Sequence, residues 1–456
     1  MNARQDNPPD FASPALSIAG SQSRALPITV IANLTIAVIG VATGLLAARI
    51  LGPKGEGELA AIQTWPLLFA TVAMLGLPEA IVYHISRDCR RGKQYVATGV
   101  LVGLLSFTVV ALLGWSVLPP LLAAQPAAVI DAARVFLIVG ILYAILGIPN
   151  QSLRGADRYV AWNLYRIAPG MGWLMLLLIS AATFHFDPVL LSRWFLVEVT
   201  AAGLPFLLVV NRSLHGSWKP EYDLSRRLVR FGLPTVLTTV PQLVSLRLDQ
   251  LLIIAFLPSQ SLGFYVVAVA WSGATAPLLS AVGQVLFPRV ARQPDQRLQA
   301  QMLATALRGS GLVAAITSVG LASVTPWILT FAYGAKFAPS VPSALVLIPA
   351  SAILAWAGIA EEGLRGLGRP SSILVAEGMG AIVTILALPG LLMLDGILGA
   401  AVASLLGYTA VAVTASLLIS RQTTYSVRSL LIPTCGDAKH LFLRIARLMP
   451  ITRAKS

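Results

Sequence analysis

Long apolar runs separated by short polar connections dominate the chain. Helices that cross a bilayer core need about 20 mostly apolar residues, and these runs have that length. The longest polar connection, 212–230, lies near the midpoint. The pattern predicts twelve membrane spans with approximate bounds 27–50, 58–84, 95–118, 130–152, 160–183, 190–211, 231–257, 261–288, 304–331, 342–364, 371–394 and 396–420. The fold class is therefore expected to be an all-α polytopic membrane protein.

Short motifs in the first half of the chain return in the second half. Gly57 and Gly263 are 206 residues apart, and the Leu-Arg-Gly motif at 153–155 returns at 364–366, 211 residues later. Six spans per copy give both copies the same topology. The repeat predicts two six-helix lobes related by a pseudo-two-fold axis along the membrane normal, with a cavity at their interface.

The same pattern divides the chain into five parts. A polar leader rich in Pro, Ser and Asp is expected to be disordered, and a basic tail follows the last span. The expected parts are a disordered cytoplasmic leader 1–26, a first lobe 27–211, a cytoplasmic linker 212–230, a second lobe 231–420 and a basic cytoplasmic tail 421–456. Within the tail, 437–450 has either the pattern of an amphipathic helix lying on an anionic membrane surface or no role beyond topology.

Composition supports a membrane protein and sets its orientation. Hydrophobic residues make up 56% of the 456 residues and charged residues only 11%, whereas about a quarter of an ordinary soluble protein is charged. The net charge of +14 comes from Lys and Arg residues that lie mainly in alternate connections. This distribution argues against nucleic-acid binding, and by the positive-inside rule it predicts a cell (inner) membrane protein with both termini in the cytoplasm.

No pattern typical of an enzyme is present in the sequence. The four His residues are scattered, Cys89 and Cys435 are too far apart in the chain to indicate a metal site, and no nucleophile or phosphate-loop motif occurs. We therefore expect no catalysis, no metal and no cofactor. Without a nucleotide motif, transport energy would have to come from an ion gradient or from the substrate gradient.

The seventh predicted span, 231–257, carries the most informative polar residues within an apolar run. Thr238, Gln242, Ser245 and Asp249 follow one helical face, which predicts a surface lining a cavity. Arg247 points elsewhere. Asp249 and Arg247 are either transport residues, one for a proton or cation and one for an anion, or partners in interhelical ion pairs.

Three further charges lie within predicted spans without a local partner. Glu198 lies in the sixth predicted span, 190–211. Arg166 and Glu377 are 211 residues apart, which is the offset of the repeat. Arg166 and Glu377 either meet at the centre or act separately on substrate and proton. Glu361 is four residues before Arg365, so a local ion pair is expected there.

Short patches along nearly all of 27–420 resemble one family. The patches Ala-Arg-Ile-Leu-Gly-Pro at 48–53, Phe-Gly-Leu-Pro at 231–234 and Gly-Ile-Leu-Gly-Ala-Ala at 396–401 are similar to those of polysaccharide-type (Wzx-like) flippases. These flippases belong to the multidrug/oligosaccharidyl-lipid/polysaccharide exporter superfamily. The resemblance implies that an undecaprenyl-diphosphate-linked oligosaccharide is moved across the membrane by alternating access, for exopolysaccharide, capsule or O-antigen synthesis.

The resemblance also assigns expected roles. Substrate contacts are expected from Arg166, Arg247, Arg49 and Gln242, and coupling to H⁺ or Na⁺ from Asp249, Glu198 or Glu377. The expected partners are the lipid-linked oligosaccharide, membrane lipids, and possible polymerase and glycosyltransferase neighbours, with the transporter a monomer. Two alternatives stay open: an ion-coupled exporter of small amphipathic molecules similar to MATE transporters, and a non-transporting scaffold of a polysaccharide synthase.

Overall fold

A computed structural model describes residues 14–183, 187–369, 371–423 and 425–431. The side chains of 14–26, 235, 237–246 and scattered positions between 278 and 291 lie outside this description.

All regular secondary structure in the described residues is helical. Short 3₁₀ turns join some helices, and a π-helical turn at Tyr143–Gly147 interrupts the fourth crossing. In chain order the helices are α1 Pro14–Ala73, α2 Leu77–Arg87, α3 Gly92–Leu121, α4 Ala127–Phe136, α5 Ile138–Leu142, α6 Ile148–Gly155, α7 Tyr159–Thr183, α8 Pro188–Ser213, α9 Tyr222–Phe256, α10 Ser259–Ser272, α11 Ala276–Arg292, α12 Gln296–Tyr333, α13 Ser340–Gly366, α14 Ser371–Gln422 and α15 Val427–Leu431.

The helices form about twelve membrane crossings, as the sequence predicted. Eight stretches among the described residues are long and apolar enough to cross a membrane, and two of them, Pro27–Arg87 and Ser371–Gln422, are about twice the length that one crossing needs. Gly52 (φ 66°) interrupts α1, and Gly396 (φ 56°) interrupts α14. Because a left-handed backbone is accessible to glycine at little energetic cost, each long helix is divided there into two crossings, which makes ten. Helix α9 and the consecutive helices α10 and α11 correspond to the two remaining predicted spans, 231–257 and 261–288.

Two of the expected boundaries differ in the structure, and one predicted segment is not described. Helix α1 starts at Pro14, so the described part of the leader is helical, because extending an existing helix is easier than nucleating one. The linker is irregular mainly over 214–221, since α9 starts at Tyr222 within it. The predicted amphipathic stretch 437–450 lies outside the described residues.

Three hydrophobic clusters show how the lobes pack. One cluster contains buried residues of both lobes, such as Ile62 and Phe136 from the first and Tyr265 and Phe337 from the second. It lies at the end of the bundle opposite the Arg-rich connections. At the Arg-rich end, which we call the basic end, each lobe has its own cluster. The lobes therefore share one core at the opposite end and separate toward the basic end.

Two glycines related by the repeat touch each other in the shared core. A Cβ atom at Gly57 would overlap the carbonyl oxygen of Ser259, and one at Gly263 would overlap that of Pro53. Pro53 and Ser259 are themselves 206 residues apart, so the contact is reciprocal. The pseudo-two-fold axis therefore passes beside these glycines, and only residues without a side chain let the backbones of the two lobes meet there.

Helix α9 belongs to both lobes. Its first turns contribute Leu224 and Leu228 to the first lobe's cluster, where Phe231 stacks on Tyr83 with ring centroids 4.3 Å apart. Its last turns enter the shared core. Gly232 lies against the backbone of Gly76 in the first lobe, again with no room for a Cβ atom. A change in the angle between the lobes must therefore involve α9.

The two Gly-x-x-x-Gly motifs of the first lobe differ in packing. Gly99 and Gly103 lie against Ile148, so this pair permits close helix contact as the motif suggests. Around Gly40 and Gly44 no described atom lies within 4 Å of a Cβ position. The motif alone does not decide which face of a helix is packed.

The glycine contact makes a stability prediction. G57A or G263A places a methyl group against a backbone carbonyl that has no flexible end to move aside, and overpacking of this kind costs about 1–3 kcal/mol. We expect a lower Tm for the purified protein in detergent, followed by tryptophan fluorescence. G44A is the matched control because its methyl group meets open space. An unchanged Tm in both G57A and G263A would contradict a tight interlobe contact.

Candidate functional site

Two guanidinium groups lie near one indole ring in the first lobe. Trp162 and Arg166 are four residues apart on α7 and so share a helical face. The Arg166 Cζ atom lies 4.7 Å from the centroid of the Trp162 ring, and the Arg154 Cζ atom, contributed by the end of α6, lies 5.3 Å from it. Arg166 was predicted as a candidate from the sequence, whereas the structure adds Arg154 and Trp162.

Neutral amides hold the Arg166 side chain in place. Its Nη1 donates to Asn163 Oδ1 at 3.1 Å, and its Nη2 donates to Asn33 Oδ1 of α1 at 2.8 Å. Asn163 is itself fixed, because its Nδ2 donates to Thr29 Oγ1 and to Tyr159 O. The guanidinium is thus oriented without being neutralised.

The cluster carries an uncompensated positive charge. Among the described residues, no carboxylate forms an ion pair with Arg154 or Arg166. Arg166 is half-buried and Asn33 exposed. A guanidinium within a span is too costly to leave in lipid, so this surface must face water. Arg166 is seven residues into α7, about 10 Å from the helix start at the basic end.

Arg49 lies at the opposite end of the bundle, in the contact between the lobes. Its Nε donates to Ala332 O at 2.5 Å and its Nη2 to Phe331 O at 2.6 Å. These carbonyls belong to the last turn of α12, where helix geometry provides no backbone partner. A guanidinium also interacts favourably with a helix C-terminus. Arg49 therefore joins the two lobes, and two of its five N–H donors make that contact in this conformation.

Gln125 makes a second contact of the same kind. Its Nε2 donates to Ile254 O at 2.7 Å and to Leu257 O at 3.0 Å, the carbonyls at the end of α9. Its Oε1 accepts a hydrogen bond from Ser259 Oγ at 2.7 Å. We call Arg49 and Gln125 the cross-lobe latch, because each first-lobe side chain caps the end of a second-lobe helix.

Asp249 is buried in the second lobe with its hydrogen bonds satisfied. Its Oδ2 accepts from Tyr265 Oη at 2.5 Å and from Ser404 Oγ at 3.0 Å, and its Oδ1 accepts from the backbone N of Gln250 at 2.7 Å. The carboxylate thereby connects α9, α10 and α14. Only 3% of Asp249 is exposed.

The neighbouring candidates on α9 differ in their surroundings. Arg247 is exposed, and its Nη1 donates to Gln250 Oε1 at 2.8 Å. Gln242 lies in the same helix, but its side chain is outside the described residues, as are those of Thr238 and Ser245. Among the described side chains, the polar face predicted for span 231–257, which is now α9, is therefore represented only by Asp249.

Glu198 packs against the backbone of α7. A Cβ atom at Gly172 would overlap the Glu198 carboxyl group, so the glycine makes room for it. Neither carboxyl oxygen has a hydrogen-bond partner among the described residues. Glu198 is thus an enclosed single carboxyl group in the first lobe.

Glu377 meets another glutamate. Its carboxyl group lies within hydrogen-bonding contact of Glu361, which is 5% exposed. The expected ion pair of Glu361 with Arg365 is wrong. The Arg365 Nη1 lies 2.5 Å from Glu362 Oε1, because Glu361 points from α13 toward α14. Arg166 and Glu377 have different partners, so these pseudo-equivalent charges do not meet in this structure.

A groove of about 610 Å³ lies along the first turns of α9, at the basic end. Arg226 and Arg230 stand one turn apart on it, and Val229, Leu233 and Pro234 complete its lining. The groove thus has cationic groups near the polar end and apolar ones toward the membrane.

Sequence reasoning missed three residues that the structure brings into these sites, Arg154, Trp162 and Gln125, and it assigned Glu361 only to a local ion pair. The Leu-Arg-Gly repeat contains Arg154, and this was the available signal for it. Among the described residues there is no group of three or more His, Cys, Asp or Glu side chains that could hold a metal ion.

Comparisons with known proteins agree on the fold. The chain is similar to a structure described as "Lipid II flippase MurJ, inward closed conformation", with a TM-score of 0.73, 13% identity and 93% of each chain covered. It is also similar to an inward-facing multidrug resistance MATE family transporter of the MOP superfamily, with a TM-score of 0.68, 14% identity, and 86% of this chain and 96% of that chain covered.

An outward-facing MATE family transporter gives a lower TM-score of 0.57, at 14% identity with 88% of this chain and 96% of that chain covered. Curated proteins give no match. A sequence profile described as "Polysaccharide biosynthesis protein" matches residues 26–293. This is more than half of the chain, so the protein belongs to the polysaccharide biosynthesis protein family and has the fold of membrane transporters and flippases.

Proposed function

We propose that the protein moves a lipid-linked oligosaccharide, carried on undecaprenyl diphosphate, across the cytoplasmic membrane by alternating access. The product would serve exopolysaccharide, capsule or O-antigen synthesis. The basic end faces the cytoplasm by the positive-inside rule. The polymerase and glycosyltransferases of the same process are the expected neighbours, and the transporter works as a monomer.

The observation that carries the proposal is the pair of guanidiniums beside Trp162. A diphosphate offers several anionic oxygens, and arginine binds such oxygens through charge-assisted, often bidentate hydrogen bonds. Arg154 and Arg166 have no carboxylate partner among the described residues and lie near the cytoplasmic end, where the substrate is made. The Trp162 ring is only 9% exposed and belongs to the first lobe's core, so its part is to position the two guanidinium groups by cation–π contact. The likeness to a lipid II flippase agrees with this substrate class.

The groove on α9 provides a second basic surface at the same end. Arg226 and Arg230 suit a phosphate, and Leu233 and Pro234 suit the first part of a polyprenyl chain. We assign it to substrate entry, before the diphosphate reaches Arg154 and Arg166. Arg247, exposed on the same helix, is a further contact inside the cavity.

The cross-lobe latch fits the other half of an alternating-access cycle. We call the end opposite the basic end the outer end. The lobes share a core at the outer end and separate at the basic end, which is an inward-facing arrangement. To release substrate outward, the protein must break the contacts of Arg49 and Gln125 with the ends of α12 and α9. Their role is therefore gating, and Arg49 would meet substrate only after the outer end has opened.

The substrate assignment is tested by flipping in proteoliposomes. The probe is a fluorescent polyprenyl-diphosphate-linked sugar, and transport is read from its accessibility to a membrane-impermeant quencher. We expect R166Q and R154Q to reduce the rate by about ten- to a hundredfold, since a hydrogen bond to a charged group contributes about 1.5–3 kcal/mol. W162L should reduce the rate less.

The matched control is R212Q. It removes one exposed positive charge from the basic end, at the last turn of α8, without touching the cluster. Unchanged transport in both R166Q and R154Q would sink the assignment. Transport of an amphipathic cationic dye instead of the diphosphate probe would favour a MATE-like exporter, and transport of neither would favour a scaffold.

The latch makes a separate prediction about accessibility. Ala48 is fully buried in the shared core next to Arg49, so A48C in a C89A/C435A background reports opening of the outer end. With R49Q or Q125A added, we expect labelling by an impermeant maleimide from outside to rise about tenfold, because each change removes one or more interlobe hydrogen bonds.

Lys54 gives the control for charge alone. It is exposed and makes only a 3.9 Å contact with Glu58, so K54Q should leave the labelling of A48C unchanged. If R49Q and Q125A label no faster than K54Q, these two residues do not hold the outer end closed.

A further inference from the structure

We propose that the Glu361–Glu377 pair carries the coupling proton of the transport cycle. This inference rests on the proposed function and chooses among its three candidate carboxyl groups. The pair binds one proton between its carboxyl groups and releases it once per cycle, while Asp249 and Glu198 do not exchange protons.

The geometry of the pair favours a shared proton. The two carboxyl groups are in hydrogen-bonding contact between α13 and α14. Glu361 is 95% buried, and its Oε1 has no hydrogen-bond partner among the described residues. Two adjacent carboxylates in a poorly solvated site cannot both stay ionised, so one proton between them is the stable arrangement.

Among the described residues, no cation forms an ion pair with Glu361 or Glu377. On its own helix, Glu361 is near Glu362 and Arg365, but the Arg365 guanidinium pairs with Glu362. Helix α9 packs on α14 and brings Asp249 and Arg247 to this region, where both of them and Glu377 act electrostatically on Tyr408. The Arg247 guanidinium donates to Gln250, and Tyr265 of α10, which packs on α13, donates to Asp249. Helices α11 and α12 also pack on α13, and the described Arg308 of α12 donates to Ser429 O. Proton binding is therefore the available means of neutralising the pair.

A proton carrier must exchange with water, and Glu377 provides that connection. Glu361 is enclosed, whereas Glu377 is partly exposed and lies six residues into α14, about 9 Å from the helix start at the basic end. A proton enters through the cavity when the outer end is open, forms an O–H bond on the pair, and leaves as that bond breaks toward the cytoplasm. No oxidant, reductant or cofactor takes part.

Asp249 is less suited to carrying the proton. Three donors from three helices already bind its two carboxylate oxygens. Protonation would force at least one donor to turn away and would weaken the connection between α9, α10 and α14. The residue has the environment of a structural carboxylate.

Glu198 is less suited to carrying the proton than the pair, for a different reason from Asp249. Both of its oxygens are enclosed against Gly172, and no second titratable group contacts it among the described residues. It has no partly exposed partner that could pass a proton to water. A single neutral carboxyl group of this kind can persist through the cycle without exchange.

The repeat shows that the second lobe has specialised. The positions equivalent to Glu361 and Glu377 are Asn150 and Arg166, each 211 residues earlier. The first lobe thus has a neutral amide and a fixed cation where the second lobe has two acids. Substrate charge and coupling proton are handled at matching places in opposite lobes.

Infrared difference spectroscopy of the full-length purified protein tests proton binding without any substrate. As the pH is raised, wild type should lose a carboxylic-acid C=O band. E361Q should remove that titrating band, and E377Q should change the pH at which it disappears. D249N and E198Q are matched controls, because each replaces another carboxyl group in a span and should leave this titration unchanged. Persistence of the band in E361Q, or its loss in D249N or E198Q, would overturn the proposal.

Transport in proteoliposomes gives the second readout. Wild type should move the diphosphate probe faster when a pH gradient is imposed, whereas E361Q and E377Q should transport at one rate with or without it. E377Q changes the partly exposed member, so it gives an answer even if E361Q does not fold. Variants that keep the response to the gradient would refute proton coupling through the pair. A wild type that moves no probe while its band still titrates would refute the substrate assignment instead.

Discussion

The contact between Gly57 and Gly263 is the constraint on which the arrangement of the lobes depends. Two helices approach until the backbone of one meets the backbone of the other, and this is possible only without side chains. The shared hydrophobic core and the latch of Arg49 and Gln125 surround this contact. Together they close the outer end in this conformation. Because packed interfaces have discrete arrangements, opening that end requires these contacts to break together.

Closure at one end explains where the polar groups lie. Charges inside a membrane protein need water, a partner or a protonated form. Arg166 has amide partners and faces the separated end, where it can attract an anion. Asp249 accepts hydrogen bonds on both oxygens and connects helices, whereas Glu361 meets Glu377 and can share a proton with it. The lobes thus have the same fold but different chemistry at matching positions.

The sequence predicted the fold class well for a physical reason. A bilayer requires long apolar helices with internally satisfied backbones, and this requirement is visible directly in the spacing of apolar runs. The ends of the helices were predicted less well than their existence. Helix α9 starts at Tyr222 and α1 starts before residue 27, because a helix can extend beyond the apolar run that identifies it. Candidate charges such as Arg166 and Glu377 were found because charge within an apolar run is rare.

The sequence by itself therefore determined the spans, the repeat and the set of unusual charges. Only the tertiary structure decided which of them meet. Helical spacing suggested that Glu361 pairs with Arg365, but rotation of α13 directs it toward Glu377 instead. The repeat identified Gly57 and Gly263 as equivalent without showing that they touch. Contacts across lobes join residues hundreds of positions apart, and periodicity along one helix contains no information about the neighbour that it faces.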